Sequence, residues 1–406
     1  MRLSAFLLLS ALAGFGQARK VTDEEVMRVH RAAYLIDTHN DITSRTVDGF
    51  DIGEKSTTTH TDLQRMKAGG MGGQFFAVFV AANYTDGNHS ANRTLQMIDT
   101  VKHDIVERYP KDFVFCRTAD EVLGAKKQGK MAALMGIEGG HAIEDSLRLL
   151  RDFYDLGIRY MTLTHANTNG WADSSGDISD PKVKHHNGLS EFGKNVVREM
   201  NRLGMMVDIS HVADKTFWDA LEVSHAPIIA SHSSCRAIAN VPRNMTDDMI
   251  TALGKKGGVV QVNFSCDYVS QRYADANRPI RAKRIALLAE LREKYKDDPV
   301  TLRLETRKVM ATATTGIPRP PLSDLVDHID HIVKLAGVDA VGIGSDFDGV
   351  GCVPEGMEDV SKYPNLTKAL LERGYSAEDI RKIYSGNILR VMKAAEKTAS
   401  ELQKKS

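Results

Sequence analysis

The chain has 406 residues, 42% hydrophobic, 26% charged and 6% aromatic, an ordinary globular composition that excludes a disordered, fibrous or multi-span membrane protein. Its 53 Lys and Arg balance 53 Asp and Glu, so no general attraction to nucleic acid or an anionic membrane is expected. With only 4 cysteines the core must come from apolar burial rather than a disulfide scaffold.

In chain order, Met1-Arg2 is basic, Leu3 to Phe15 is apolar or small, and Gln17-Ala18-Arg19-Lys20 is polar. That pattern predicts a secretory signal peptide over 1–18, cleaved near Ala18, and is too short to span a membrane comfortably. Residues 19–406 are then expected to form one catalytic domain. Short apolar, β-rich runs follow at Tyr34 to Asp37, Gly73 to Val80, Met131 to Ile137, Tyr160 to Thr164, Met205 to Ile209, Pro227 to Ala230, Val259 to Asn263 and Ala340 to Gly344. Helical patterns such as Leu147 to Leu156, Leu189 to Leu203 and Asp247 to Lys255 separate most of them. Strand alternating with helix implies parallel strands with helical crossovers, and eight units predict an α/β fold of the (β/α)8 TIM-barrel type. An open doubly wound sheet is the alternative, weakened because no G-x-G-x-x-G follows the first strand.

The rhythm breaks between strands seven and eight. A charged helical run, Ile280 to Lys296, and Gly316-Ile-Pro-Arg-Pro-Pro predict an insertion over about 267–321, folded on the barrel, with Asp324 to Leu335 as the helix leading into strand eight. Sequons at Asn83, Asn88, Asn92 and Asn365 fit a secreted glycoprotein, whereas Asn263 lies in a strand pattern and is expected to stay unmodified. Cys116, Cys235, Cys266 and Cys352 allow three disulfide connectivities in an oxidising compartment. The tail, Lys393 to Ser406, is polar and lacks a lipid-anchor pattern, so a secreted protein without a membrane anchor is expected.

Nearly every strand ends in polar side chains, and in a barrel these ends converge on one mouth. His39 and Asp41 are two residues apart, so both can face the axis and bind one metal. Imidazole nitrogen and carboxylate oxygen suit zinc. His211 and His232 can serve a second ion, with Glu138 and a water or hydroxide bridging the pair. A single H-x-D is weak; five such residues at one mouth are not. His328 and His331 lie among Asp324, Asp327 and Asp330 and read as a solvated face, and His185-His186 reads as surface.

The segments IDTHND, GIEGGH, LTHANTNGWADS, GLSEFGKNVVREMNRLGMMVDISH, SHSSCRAIANVPRNMTDDM, GIGSDFDGV and RGYSAEDIRKIYSGNILRVM together resemble the membrane (renal-type) dipeptidases, over about Tyr34 to Met392. The resemblance implies a zinc metallodipeptidase that hydrolyses free dipeptides with broad side-chain tolerance. It implies two Zn2+ per chain, with His39, Asp41 and Glu138 on one and Glu138, His211 and His232 on the other. It also implies a homodimer. His165 is expected to donate to the developing oxyanion, Arg243 to clamp the substrate carboxylate, and Asp346 to engage the free amino group and pass a proton to the leaving amine. Asp348 is read as supporting its loop. Two other readings compete: a cyclic-amide or β-lactam hydrolase, and a catalytically dead binding protein, whose usual sign would be a lost ligand.

Overall fold

The computed structural model describes residues 20–296, 298–311 and 316–405; the expected signal peptide lies outside them. Eight parallel strands make the barrel: β1 (Leu35–Asn40), β2 (Met71–Phe79), β4 (Met131–Glu138), β5 (Ile158–Thr162), β6 (Met206–Asp208), β7 (Ile229–Ser233), β8 (Val259–Val262) and β9 (Val341–Ile343), paired in that order. The sequence reading misses β3 (Phe113–Phe115). It pairs with the first residues of β4, on the edge that β5 takes over from Met135 onward. Three residues on a sheet flank give no usable periodicity.

Closure is made at the mouth. Thr38 Oγ1 donates to Ser231 O across the barrel at 2.6 Å and to Ile343 O on β9 at 3.1 Å. Asp41 N donates to Phe347 O and Asp346 N to His39 O, at 2.8 and 3.0 Å. This seam brings the ends of the first and last strands together, although they are some 300 residues apart in sequence.

The crossover helices begin where a hydroxyl can cap them. Ser146, Ser190 and Thr246 accept from the backbone N–H groups of Leu149, Gly193 and Met249 and start the helices Leu147–Leu156, Glu191–Leu203 and Asp247–Lys255. The first two end on Gly157 and Gly204, whose φ angles of 117° and 88° suit glycine. At the other end of the barrel, Ile388, Leu389, Val391 and Met392 of the helix Asn387–Gln403 join Ile36, Phe75, Tyr160, Ile229 and Val259 in one buried cluster. The last helix therefore stoppers the barrel and leaves one mouth open.

In the insertion, the helix Gln271–Lys294 buries Tyr273, Ala274 and Asn277 in its first turns and then pairs with the helix Pro299–Ala311. The helix expected at Asp324 to Leu335 spans Leu322–Ala336. It corrects one expectation: His328 is not solvated but fully buried. Its Nδ1 accepts from Cys235 N at 2.9 Å, so Nε2 donates to Val269 O at 3.0 Å, and burial pushes the imidazole down to about 4. The neighbouring Asp327 and Asp330 do face outward, to Arg373. His185 and His186 are half-buried rather than on the surface, with His186 Nε2 2.9 Å from Asn169 O. Among the described residues no helix is long and apolar enough to cross a membrane.

None of the three full connectivities forms: the structure has one bond, Cys266–Cys352, and Cys116 and Cys235 are free and buried. The bond ties the loop after β8 to the loop after β9. It spans 86 residues, and the chain-entropy model gives such a loop about 4.5 kcal/mol at 25 °C. A Cys266→Ser, Cys352→Ser double variant is expected to lose stability of that order in guanidinium unfolding. Unfolding at the wild-type midpoint would show that the bond constrains nothing.

Candidate metal centre and substrate site

Glu138, at the end of β4, lies at the centre of the mouth and is 4% exposed. Its Oε1 is 2.9 Å from His211 Nε2 and 3.2 Å from His232 Nε2, and those two nitrogens are 2.9 Å apart. Its Oε2 is 3.4 Å from His39 Nε2, which is 3.3 Å from Asp41 Oδ2. Donor atoms on one tetrahedral zinc, at Zn–N and Zn–O distances of about 2.0–2.2 Å, lie about 3.3–3.5 Å apart. The two edges at His39, 3.3 and 3.4 Å, have that size, and the edges among Glu138 Oε1, His211 and His232, 2.9–3.2 Å, are somewhat shorter. His39 Nε2 is buried and makes no hydrogen bond to the protein, although two carboxylates face it. An unbonded, buried His39 Nε2 facing two carboxylates, beside two imidazole nitrogens converging on the other Glu138 oxygen, makes this donor set fit a pair of metal ions.

Electrostatics point the same way. Burial disfavours charge on His39, but Tyr160, Glu138 and Asp41 pull its imidazole well above the ordinary range, so a positive charge is demanded at that position. Burial holds His211 and His232 well below theirs, which leaves them neutral with a lone pair to offer. Against its own burial, Glu138 is driven well below the carboxylate range by the surrounding imidazoles.

His165, Arg243 and Asp346 ring this cluster. His165 Nε2 is 3.8 Å from Glu138 Oε1, and its ring packs edge-on to Phe79 and against His211. Burial lowers its imidazole, so it is neutral. Arg243 spends Nη1 on Ser233 Oγ and Nη2 on His232 O, both at 2.7 Å, and lies over the Tyr268 ring. Its Nε is buried without a partner. Asp346 Oδ2 accepts from Asn263 Nδ2 at 2.8 Å. Its carboxylate also comes within 4.8 Å of ligand atoms on His39 and Asp41. Burial, reinforced by the carboxylates of Asp41 and Glu138, raises it well above the usual range. Asp348 points away, accepting from His60 N at 2.8 Å, as a loop-supporting residue would.

The backbone is strained where these groups are presented. His211, Asp346 and Asp348 have φ of 69°, 64° and 67°, a left-handed conformation that side-chain-bearing residues seldom adopt. Each follows a strand; His211 and Asp346 turn their side chains over the mouth, and Asp348 turns its own to His60. Sequence reasoning missed several supports. In the sequence Tyr160 marks only a strand start, Asp208 and Ser231 are only parts of motifs, and Asn263 is only an unused sequon. Their common signal is a polar side chain at an inward barrel position, which has to find a partner inside. Gly349 likewise gives no signal beyond its place in GIGSDFDGV. A Cβ there would overlap the carboxylates of both Asp41 and Asp346. Gly349→Ala is therefore expected to weaken metal binding at least tenfold in a chelator competition while leaving the melting temperature near wild type. Wild-type affinity would show that the two carboxylates are not held against this turn.

A model of the membrane dipeptidase family, peptidase family M19, matches residues 23–406. The probable dipeptidase PvdM from Pseudomonas aeruginosa is similar with a TM-score of 0.77 and 26% identity, over 93% of this chain and 99% of that one. A dipeptidase of family M19 gives 0.71 and 26%, over 89% and 98%. A metallopeptidase from Rhodobacter sphaeroides, liganded with a phosphinate mimic of the dipeptide L-Ala-D-Ala, gives 0.69 and 25%, over 89% and 99%. With the family model spanning nearly the whole described chain, the protein belongs to the membrane dipeptidase family, whose members depend on zinc, and is a metallodipeptidase.

Proposed function

We propose that the protein is a secreted dipeptidase that cleaves the single peptide bond of free dipeptides at two zinc ions, one held by His39, Asp41 and Glu138 and the other by Glu138, His211 and His232. The observation that carries the reading is the position of Glu138, with one carboxylate oxygen turned to His39 and the other to His211 and His232. Bound by these residues, the ions would supply Lewis acidity and a water acidic enough to act as nucleophile near neutral pH.

The remaining roles belong to the chain. Neutral His165 directs an N–H at the carbonyl oxygen and stabilises the charge that develops there. Arg243 binds the substrate's terminal carboxylate. Its guanidinium is anchored by Ser233 and His232 O, and its buried Nε–H is left for a ligand acceptor. Asp346 engages the substrate's amino group, and its raised affinity for a proton suits it to protonating the leaving amine. The Rhodobacter relative is liganded with a phosphinate mimic of L-Ala-D-Ala. A phosphinate is tetrahedral at phosphorus, as is the carbonyl carbon after water attack, which supports the same chemistry at the similar site here. It also makes a D-residue at the second position a reasonable substrate to test.

Secretion is supported by the apolar Leu3 to Phe15 segment, by the Cys266–Cys352 bond and by the exposed sequon residues Asn83, Asn88, Asn92 and Asn365. Asn263 is buried and hydrogen-bonded, which fits an unmodified residue. Broad side-chain tolerance and a homodimer rest on the family alone.

A carboxylate clamp at one end and an amine site at the other measure the substrate, because a blocked or longer peptide leaves a buried charge unpaired. Ala-Ala, Gly-containing and L-Ala-D-Ala dipeptides are expected to turn over. N-acetylated or C-amidated forms should lose at least 100-fold in kcat/KM, a loss of about 2.7 kcal/mol. In Arg243→Lys the penalty for amidation should shrink, since the discriminating fork is gone. Equal cleavage of free and blocked dipeptides would refute the clamp, and preferential cleavage of β-lactams or cyclic amides would refute the substrate class.

A further inference from the structure

An imidazole that binds a metal through Nε2 must carry its proton on Nδ1, and the partner of Nδ1 decides whether it does. His39 Nδ1 lies 2.9 Å from Tyr160 Oη. Tyr160 Oη is also 2.9 Å from Thr38 O, which can only accept. A phenol has one proton to give. That proton goes to Thr38 O. Nδ1 of His39 must then donate to the phenol oxygen, and Nε2 is left to the metal. The ring of Tyr160 reaches this place only because Gly136, on the neighbouring strand, has no side chain; a Cβ there would overlap the ring.

His232 is served by a different chain of bonds. Its Nδ1 is 2.7 Å from Ser231 Oγ, which is 2.6 Å from the acceptor Asp208 Oδ2. Ser231 spends its proton on Asp208, so His232 Nδ1 must donate to Ser231 Oγ, and again Nε2 faces the metal. Asp208 is fixed in turn by the backbone N–H groups of Ser210 and Ser231. The two relays share no residue, although the His39 and His232 rings stack at 3.7 Å.

We propose that Tyr160 and Ser231 are positioning residues, one for each metal: Tyr160 fixes the proton of His39 for the ion it shares with Asp41, and Ser231 fixes that of His232 for the ion it shares with His211. The inference rests on the two-ion reading above and adds that the two sites are tuned separately. Gly136 belongs to the first relay through the space it leaves.

The test is a titration of metal-free protein with cobalt(II), followed by its visible absorption and by chelator competition. Wild type is expected to bind two cobalt ions. Tyr160→Phe, nearly isosteric, should weaken one of them by about 10–100-fold and leave the other unchanged, the range typical of lost outer-shell partners of a ligand histidine. Gly136→Ala, which displaces the ring without removing the hydroxyl, should weaken the same ion. Ser231→Ala should weaken the other ion, and Ser231→Thr, which keeps a hydroxyl, should restore it. Two unchanged cobalt affinities in both Tyr160→Phe and Ser231→Ala would overturn the relays, as would equal loss at both ions in each variant. A wild-type protein that binds fewer than two cobalt ions would instead overturn the paired centre itself. Should Tyr160→Phe fail to fold, the Ser231→Ala and Ser231→Thr pair still decides whether a single hydroxyl governs a single ion.

Discussion

The structure is organised around one electrostatic demand. Three carboxylates, from Asp41, Glu138 and Asp346, are buried at the end of a barrel beside three imidazoles. Removing such charges from water is costly unless they are paired. Within the protein the deficit shows as imbalance. Glu138 is held ionised by its imidazoles, His39 is pulled towards a second proton, and Asp346 is pushed towards protonation. The proposed pair of divalent cations would answer all three at once.

The fold serves that demand in layers. The last helix fills one end of the barrel with aliphatic side chains and gives the Tyr160 ring a packed base. Above it the strands deliver their polar ends to a common level. The β1–β9 seam adds Asp346 to the group begun by His39 and Asp41, and the Cys266–Cys352 bond ties together the loops that carry Asn263 and Asp346. Strain in the left-handed conformations of His211, Asp346 and Asp348 is borne by this rigid surround.

Much of this was legible in the amino-acid sequence because parallel barrels write themselves in short apolar runs with polar ends. All eight barrel strands overlap the runs that predicted them, and His39, Asp41, Glu138, His165, His211, His232, Arg243 and Asp346 converge on one mouth. What was not legible depends on space rather than spacing. β3 exists because β5 starts late along β4. His328 is buried because its helix face turns onto Val269 and Cys235, while the acidic neighbours that made it look solvated point to Arg373. The cysteine pairing required knowing which loops adjoin. Tyr160 shows the limit most clearly. Its role needs a glycine on β4, a carbonyl on β1 and a histidine nitrogen, three partners that no linear pattern connects.

The central claim is that Glu138 joins two metal ions, and anomalous diffraction from crystals of the zinc-loaded protein tests it most directly. The account predicts two zinc peaks flanking the Glu138 carboxylate, one against His39 and Asp41 and one against His211 and His232. A single peak, or peaks away from that carboxylate, would contradict it.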